Sequence, residues 1–107
     1  MDINIYLLEA ANLNIEYKPM LVWADDEETA RKSAYNQFLD DDFIPERDLI
    51  NPTDKSLVSC TRLPPEIYEA SLDSENEIVI HFPTPPDPLE INDYALSKNT
   101  AVYAKGK

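Results

Sequence analysis

The chain has 107 residues, with 21 Asp or Glu against 9 Lys or Arg, a net charge of −12 at pH 7 and an isoelectric point near 4.2. A protein that grips nucleic-acid phosphates needs a basic face to release counterions, so this balance argues against direct nucleic-acid binding. With 43% hydrophobic residues, the composition is that of one globular domain over residues 1–107, not of a disordered acidic tail.

Ile3 to Ala10 alternates Ile3, Ile5 and Leu7 with Asn4 and Tyr6 and is expected to be a strand. A second strand is expected over Ile15 to Ala24, bulged at Pro19 because proline cannot donate to a ladder, and the two should form a hairpin. A helix follows from about Asp26 to Leu39. Asp25 reads as its N-cap with Glu28 three residues on, Ala30, Ala34 and Phe38 recur every fourth residue, and Glu27/Arg31 and Glu28/Lys32 are favourable pairs expected on a solvated surface.

Residues 40–56 read as an ordered loop pinned by Phe43, Ile44, Leu49 and Ile50 and bracketed by Pro45 and Pro52. Leu57 to Leu63 is a strand candidate, and Pro64-Pro65 should stop it and start a short helix over EIYEASL. Glu77 to Phe82 has the clearest strand pattern, with Ile78, Ile80 and Phe82 on one face and Val79 and His81 on the other. Pro83, Pro85, Pro86 and Pro88 imply an extended, polyproline-like surface connection; their two PxxP spacings lack flanking basic residues and read as a rigid connector. The tail should add a short helix around Asp93 to Ser97 and a last strand from Thr100 to Ala104.

Several chemistries lack their residues. Gly106 is the sole glycine, which leaves no Gly-rich phosphate loop, dinucleotide fingerprint or nucleophile elbow. His81, the sole histidine, is expected to be a half-buried packing residue; it would form a dyad with Cys60, the sole cysteine, only if their strands were neighbours. One cysteine makes neither an internal disulfide nor a zinc cluster. Neither acidic run matches a calcium loop, and a nuclease-like set of Asp2, Glu16 and Lys18 is opposed by the negative field. The expectation is therefore no enzyme, no cofactor and no metal. Apolar runs of a few residues fall far short of the roughly 20 that span a bilayer, and Met1-Asp2 opens no leader peptide, so the expected location is the cytosol.

The acidity itself is the remaining signal. Asp40, Asp41 and Asp42 follow the helix C-terminus, where the macrodipole makes each carboxylate cost roughly 0.3 to 1 kcal/mol. With Glu46 and Asp48 they form one negative patch, and Asp25, Asp26, Glu27 and Glu28 form another, about 20 Å away along the helix. Two such patches suit a basic groove that otherwise holds phosphates. In composition, size and scarcity of catalytic groups the chain resembles the small acidic, DNA-mimic proteins of phages and mobile elements, such as anti-restriction and anti-CRISPR inhibitors. The resemblance is one of physical character, carries no motif, and assigns no residue a role. The expected protein is α+β: an antiparallel sheet of four or five strands with the main helix packed on one face. Its expected partner is the basic surface of a nucleic-acid-handling complex. The alternative is an adaptor or accessory subunit that binds through apolar surface around Trp23, Phe43 and Ile44.

Overall fold

The computed structural model describes residues 3–12, 14, 19–39, 51–73, 75, 77–86, 89 and 91–103. Near-continuous apolar runs make strands that are buried on both faces, and β1 (Ile5–Ala10) and β2 (Met20–Trp23) are of this kind. They pair antiparallel, Ile5 opposite Trp23 and Leu8 opposite Met20, as the expected hairpin. β3 (Val58–Arg62) adds to the other side of β1, and β7 (Ala101–Tyr103) to the other side of β2, giving a four-stranded sheet in the order β3-β1-β2-β7. Of the expected second strand, Met20–Trp23 is seen, after Pro19; residues 15–18 lie outside the described residues.

The helix α1 (Glu27–Leu39) crosses one face of this sheet. Its first free N–H groups are capped by Asp26, not Asp25: the Thr29 N–H donates to Asp26 Oδ1 at 2.7 Å. Ala30 and Ala34 are fully buried against Tyr6, Leu8, Met20, Val22 and Val58, and their small side chains bring the helix close to the strands. The side chain of Phe38, the third residue of that spacing, lies outside the described residues. Arg31 is not on the solvated surface that its i,i+4 spacing suggested. It is 6% exposed and donates through Nε to Glu27 Oε2 at 3.1 Å and through Nη1 to the carbonyls of Pro52 and Val58, both at 2.8 Å.

The opposite face of the sheet packs on a second, three-stranded antiparallel sheet of β4 (Glu69–Leu72), β5 (Glu77–His81) and β6 (Asp93–Ser97), in the order β4-β5-β6. Ile5, Leu7, Leu21 and Trp23 meet Ile78, Ile80, Phe82, Tyr94 and Leu96 between the sheets, and Phe82 makes edge contacts with Tyr68 and Tyr94 at 6.0 Å between ring centroids. The architecture is α+β, with the helix on one face of an antiparallel sheet, as expected; the three-stranded sheet is a further layer.

Two of its strands replace expected helices. After Pro64 there is only a 3₁₀ turn, Pro65–Ile67, and EASL then pairs with β5; DYALS pairs with the other side of β5. Glu, Ala, Leu and Ser are good or neutral helix formers, but both runs are held by pairing along β5, which also buries Tyr94 and Leu96 on one face of β6. The prolines of 83–86 do not run straight across the surface. The chain turns back, with Leu89 N–H donating to the Pro86 carbonyl and Phe82 N–H to the Asn92 carbonyl, both at 2.7 Å. In the turn before β7, Asn99 takes φ 62°, a left-handed conformation that Asn tolerates better than other side chains.

Candidate functional site

The acidic patch at the helix start is present, but each of its carboxylates is engaged. Asp25 faces Lys98 at 3.2 Å, Asp26 caps the helix, Glu27 lies 3.1 Å from Arg31 and 3.9 Å from Lys55, and Glu28 is 3.5 Å from Lys32. A groove of about 670 Å³ runs beside them, and its walls pair Asp26, Glu27 and Glu28 with Arg31, Lys32 and Lys55. Three negative groups set among three positive ones present little net field. Asp40, Asp41, Asp42, Glu46 and Asp48, the second patch, lie outside the described residues, as do Phe43, Ile44, Asp2, Glu16 and Lys18. Trp23, the third member of the apolar surface, is 4% exposed and belongs to the core.

Unneutralised charge lies elsewhere. From Leu63 to Ser97 the sequence contains eight Asp or Glu and no Lys or Arg, so −8 of the net −12 falls on this third of the chain. This stretch builds the three-stranded sheet. Clusters of carboxylates such as residues 25–28 and 40–42 do not mark it, because its acids are spread singly; the signal in the sequence is the 35-residue gap between cations.

The register shows where those carboxylates point. Asp73 N–H donates to the Glu77 carbonyl at 2.9 Å, and alternation along the ladder then makes Ser71/Val79 and Glu69/His81 hydrogen-bonded pairs. On the other side of β5, the Phe82–Asn92 bond makes Ile80/Tyr94 and Ile78/Leu96 the bonded pairs and leaves His81/Asp93 a non-bonded pair, whose side chains approach closely. One row across the outer face therefore reads Glu69, His81, Asp93, the next Ser71, Val79, Ala95, and the third Asp73, Glu77, Ser97. His81 is exposed, not half-buried, and its Nδ1 lies 2.6 Å from Asp93 Oδ1. Glu77 accepts from Ser97 Oγ at 3.3 Å, and Asp73 Oδ1 accepts the N–H groups of Glu75 and Glu77. Among the described residues no Lys or Arg pairs with Glu66, Glu69, Glu75 or Glu77. Val79, 37% exposed, stands in the middle of this face; Leu72, opposite the buried Ile78, is exposed on the other face at the sheet edge, and Ile91, just before β6, is also exposed.

Cys60 and His81 do not meet as a dyad. Cys60 is on β3, beside Leu8 and facing the helix, whereas His81 is on the second sheet. Burial pushes the Cys60 thiol up to about 11, which Arg31 only partly opposes, so little thiolate forms near neutral pH. Among the described residues, no three of His, Cys, Asp and Glu are grouped to hold a metal ion, and no helix is long and apolar enough to cross a membrane. Comparison of the chain with protein-family models, with curated proteins and with solved structures yields no match.

Proposed function

We propose that the chain acts by occupancy and not by turnover, binding a basic protein surface through the outer face of the β4-β5-β6 sheet. The target class is the phosphate-binding surface of a nucleic-acid-handling complex, blocked as DNA-mimic inhibitors of the anti-restriction or anti-CRISPR type block theirs. The observation that supports this reading is the face on which Glu69, Glu77 and Asp93 surround Val79 with no Lys or Arg among them. An apolar centre with a charged rim has the anatomy of a protein interface, and a single sign of charge steers a basic partner and repels nucleic acid.

The exposed Leu72, Val79 and Ile91 favour a second reading, an adaptor held by apolar contact. Salt and DNA separate the two. A partner captured from lysate by the immobilised chain should elute as salt shortens the Debye length and should be displaced by added duplex DNA; the Glu69→Gln, Glu77→Gln, Asp93→Asn triple variant should retain much less of it. Capture that persists in high salt and ignores both DNA and the triple variant assigns the adaptor role instead.

A further inference from the structure

The strand β4 lies at the edge of the second sheet, and all four of its residues are exposed. The pairing alternation along β4 directs the N–H and C=O groups of Glu69 and Ser71 to β5 and those of Ala70 and Leu72 to the outer edge, where no described strand meets them. Proteins guard such edges with lysine, proline or a bulge, and the run EASL has none of these. The other edges differ. β3 ends in Arg62, β7 is three residues long, and β6 lies against the first sheet, its continuation at Lys98 bridging to Trp23.

What would fill the edge follows from its surroundings. Glu66, Glu69, Asp73 and Glu75 flank it without a cation among them, and Leu72, 50% exposed, offers one apolar contact. A second copy of this chain would bring the same carboxylates against these. We infer that β4 is a docking edge for an extended segment of the partner that alternates lysine or arginine with apolar residues, adding a fourth strand to the sheet. Main-chain bonds to Ala70 and Leu72 would hold such a segment, its cations would meet the flanking carboxylates, and Leu72 would take an apolar side chain. The inference rests on the proposed reading of this sheet as the partner-binding surface and adds its mode of recognition.

The test uses the intact chain and a capped synthetic peptide of alternating lysine and valine, with a lysine-proline peptide of equal charge as control. Binding of the alternating peptide should slow amide exchange at Ala70 and Leu72, and the control should bind at least about tenfold more weakly because proline cannot extend a ladder. Ala70→Pro, which removes an outward N–H and no bond to β5, should weaken the alternating peptide by about tenfold or more. Ala70→Lys, at an exposed position that a fold tolerates, should do the same by repelling a cationic strand. Equal binding of both peptides, or unaltered exchange at Ala70 and Leu72, would overturn edge pairing while leaving the charged-face reading to its own DNA-competition test. So would protection of Ala70 and Leu72 in a dimer of the free chain, which would give the edge to a second copy.

Discussion

Arg31 is the side chain whose removal should reveal most about what holds the helix to the rest of the molecule. In Arg31→Met the aliphatic volume is kept, but the Pro52 and Val58 carbonyls lose their donor in a buried place, where an unsatisfied acceptor costs about 1 to 3 kcal/mol. The partner Glu27 is 44% exposed, so the lost ion pair adds at most about 1 kcal/mol. The cost of taking the guanidinium out of water on folding is removed as well, which returns part of the loss. The expected net destabilisation is about 3 kcal/mol, a large share of the roughly 5 to 15 kcal/mol typical of a domain. In a urea titration this moves the midpoint down by about 1 to 2 M.

Glu27→Gln is the matched control. It removes the charge from the exposed end of the same network and should cost less than about 1 kcal/mol. Arg31→Lys, which keeps the charge but not the planar fork, should fall between the two. Equal, small losses for Arg31→Met and Glu27→Gln would refute the reasoning, because they would mean that Arg31 acts through its ion pair and not through the two carbonyls.

The carboxylates of Asp26 and Asp54 are held below their ordinary range by hydrogen bonds from Thr29 and Ser56, so the stability they contribute is present above about pH 4 and lost as pH falls through their folded-state values; Asp26→Asn with Asp54→Asn should flatten the acid limb of a stability-against-pH curve. Cys60, with its thiol pushed up to about 11, should react with iodoacetamide at pH 8 about 100-fold more slowly in the native chain than in urea. The same raised value means that its contribution to stability is intact below about pH 9 and is lost as pH rises toward the folded value, a loss that Cys60→Ala should abolish in alkaline melts. At Asn99, φ 62° should make Asn99→Gly neutral and Asn99→Ala destabilising by about 1 kcal/mol in the same melts.

Local pattern and global pairing divide what the sequence discloses. β1, β5 and α1 were legible because each carries its signal within itself: β-branched and aromatic residues in Ile5–Ala10, the β-branched run Ile78-Val79-Ile80 in Glu77–His81, and an acidic start followed by alanines at four-residue spacing in α1. β4 and β6 were not. EASL and DYALS are too short to show a period against their helix-forming composition, and they become strands because β5 between them is complete and needs two partners. The same gap explains His81. Its neighbour Asp93 is twelve residues away and opposes it only once β6 is known to be a strand.

Charge obeys this division too, and with a consequence for where a partner is sought. A carboxylate cluster in sequence says where acids are made, but its field depends on the cations that folding brings to it. Residues 25–28 attract the eye as DDEE, yet Arg31 and Lys32 one turn on, Lys55 from the next segment and Lys98 from the end of β6 offset them. Among the described residues Glu69 and Glu77 meet no Lys or Arg and Asp93 meets only His81; the strands set them on one face within a 35-residue span that has no Lys or Arg to supply. Such a face strains its own sheet by like-charge repulsion, so screening should stabilise the free protein: its melting temperature should rise between low salt and about 0.5 M NaCl, and less so in the triple variant Glu69→Gln, Glu77→Gln, Asp93→Asn. Binding to a basic surface should weaken over the same range. Opposite responses of stability and affinity to one titration are what a charged face kept for a partner requires, and a salt-independent melt would show that the repulsion on which the argument rests is absent.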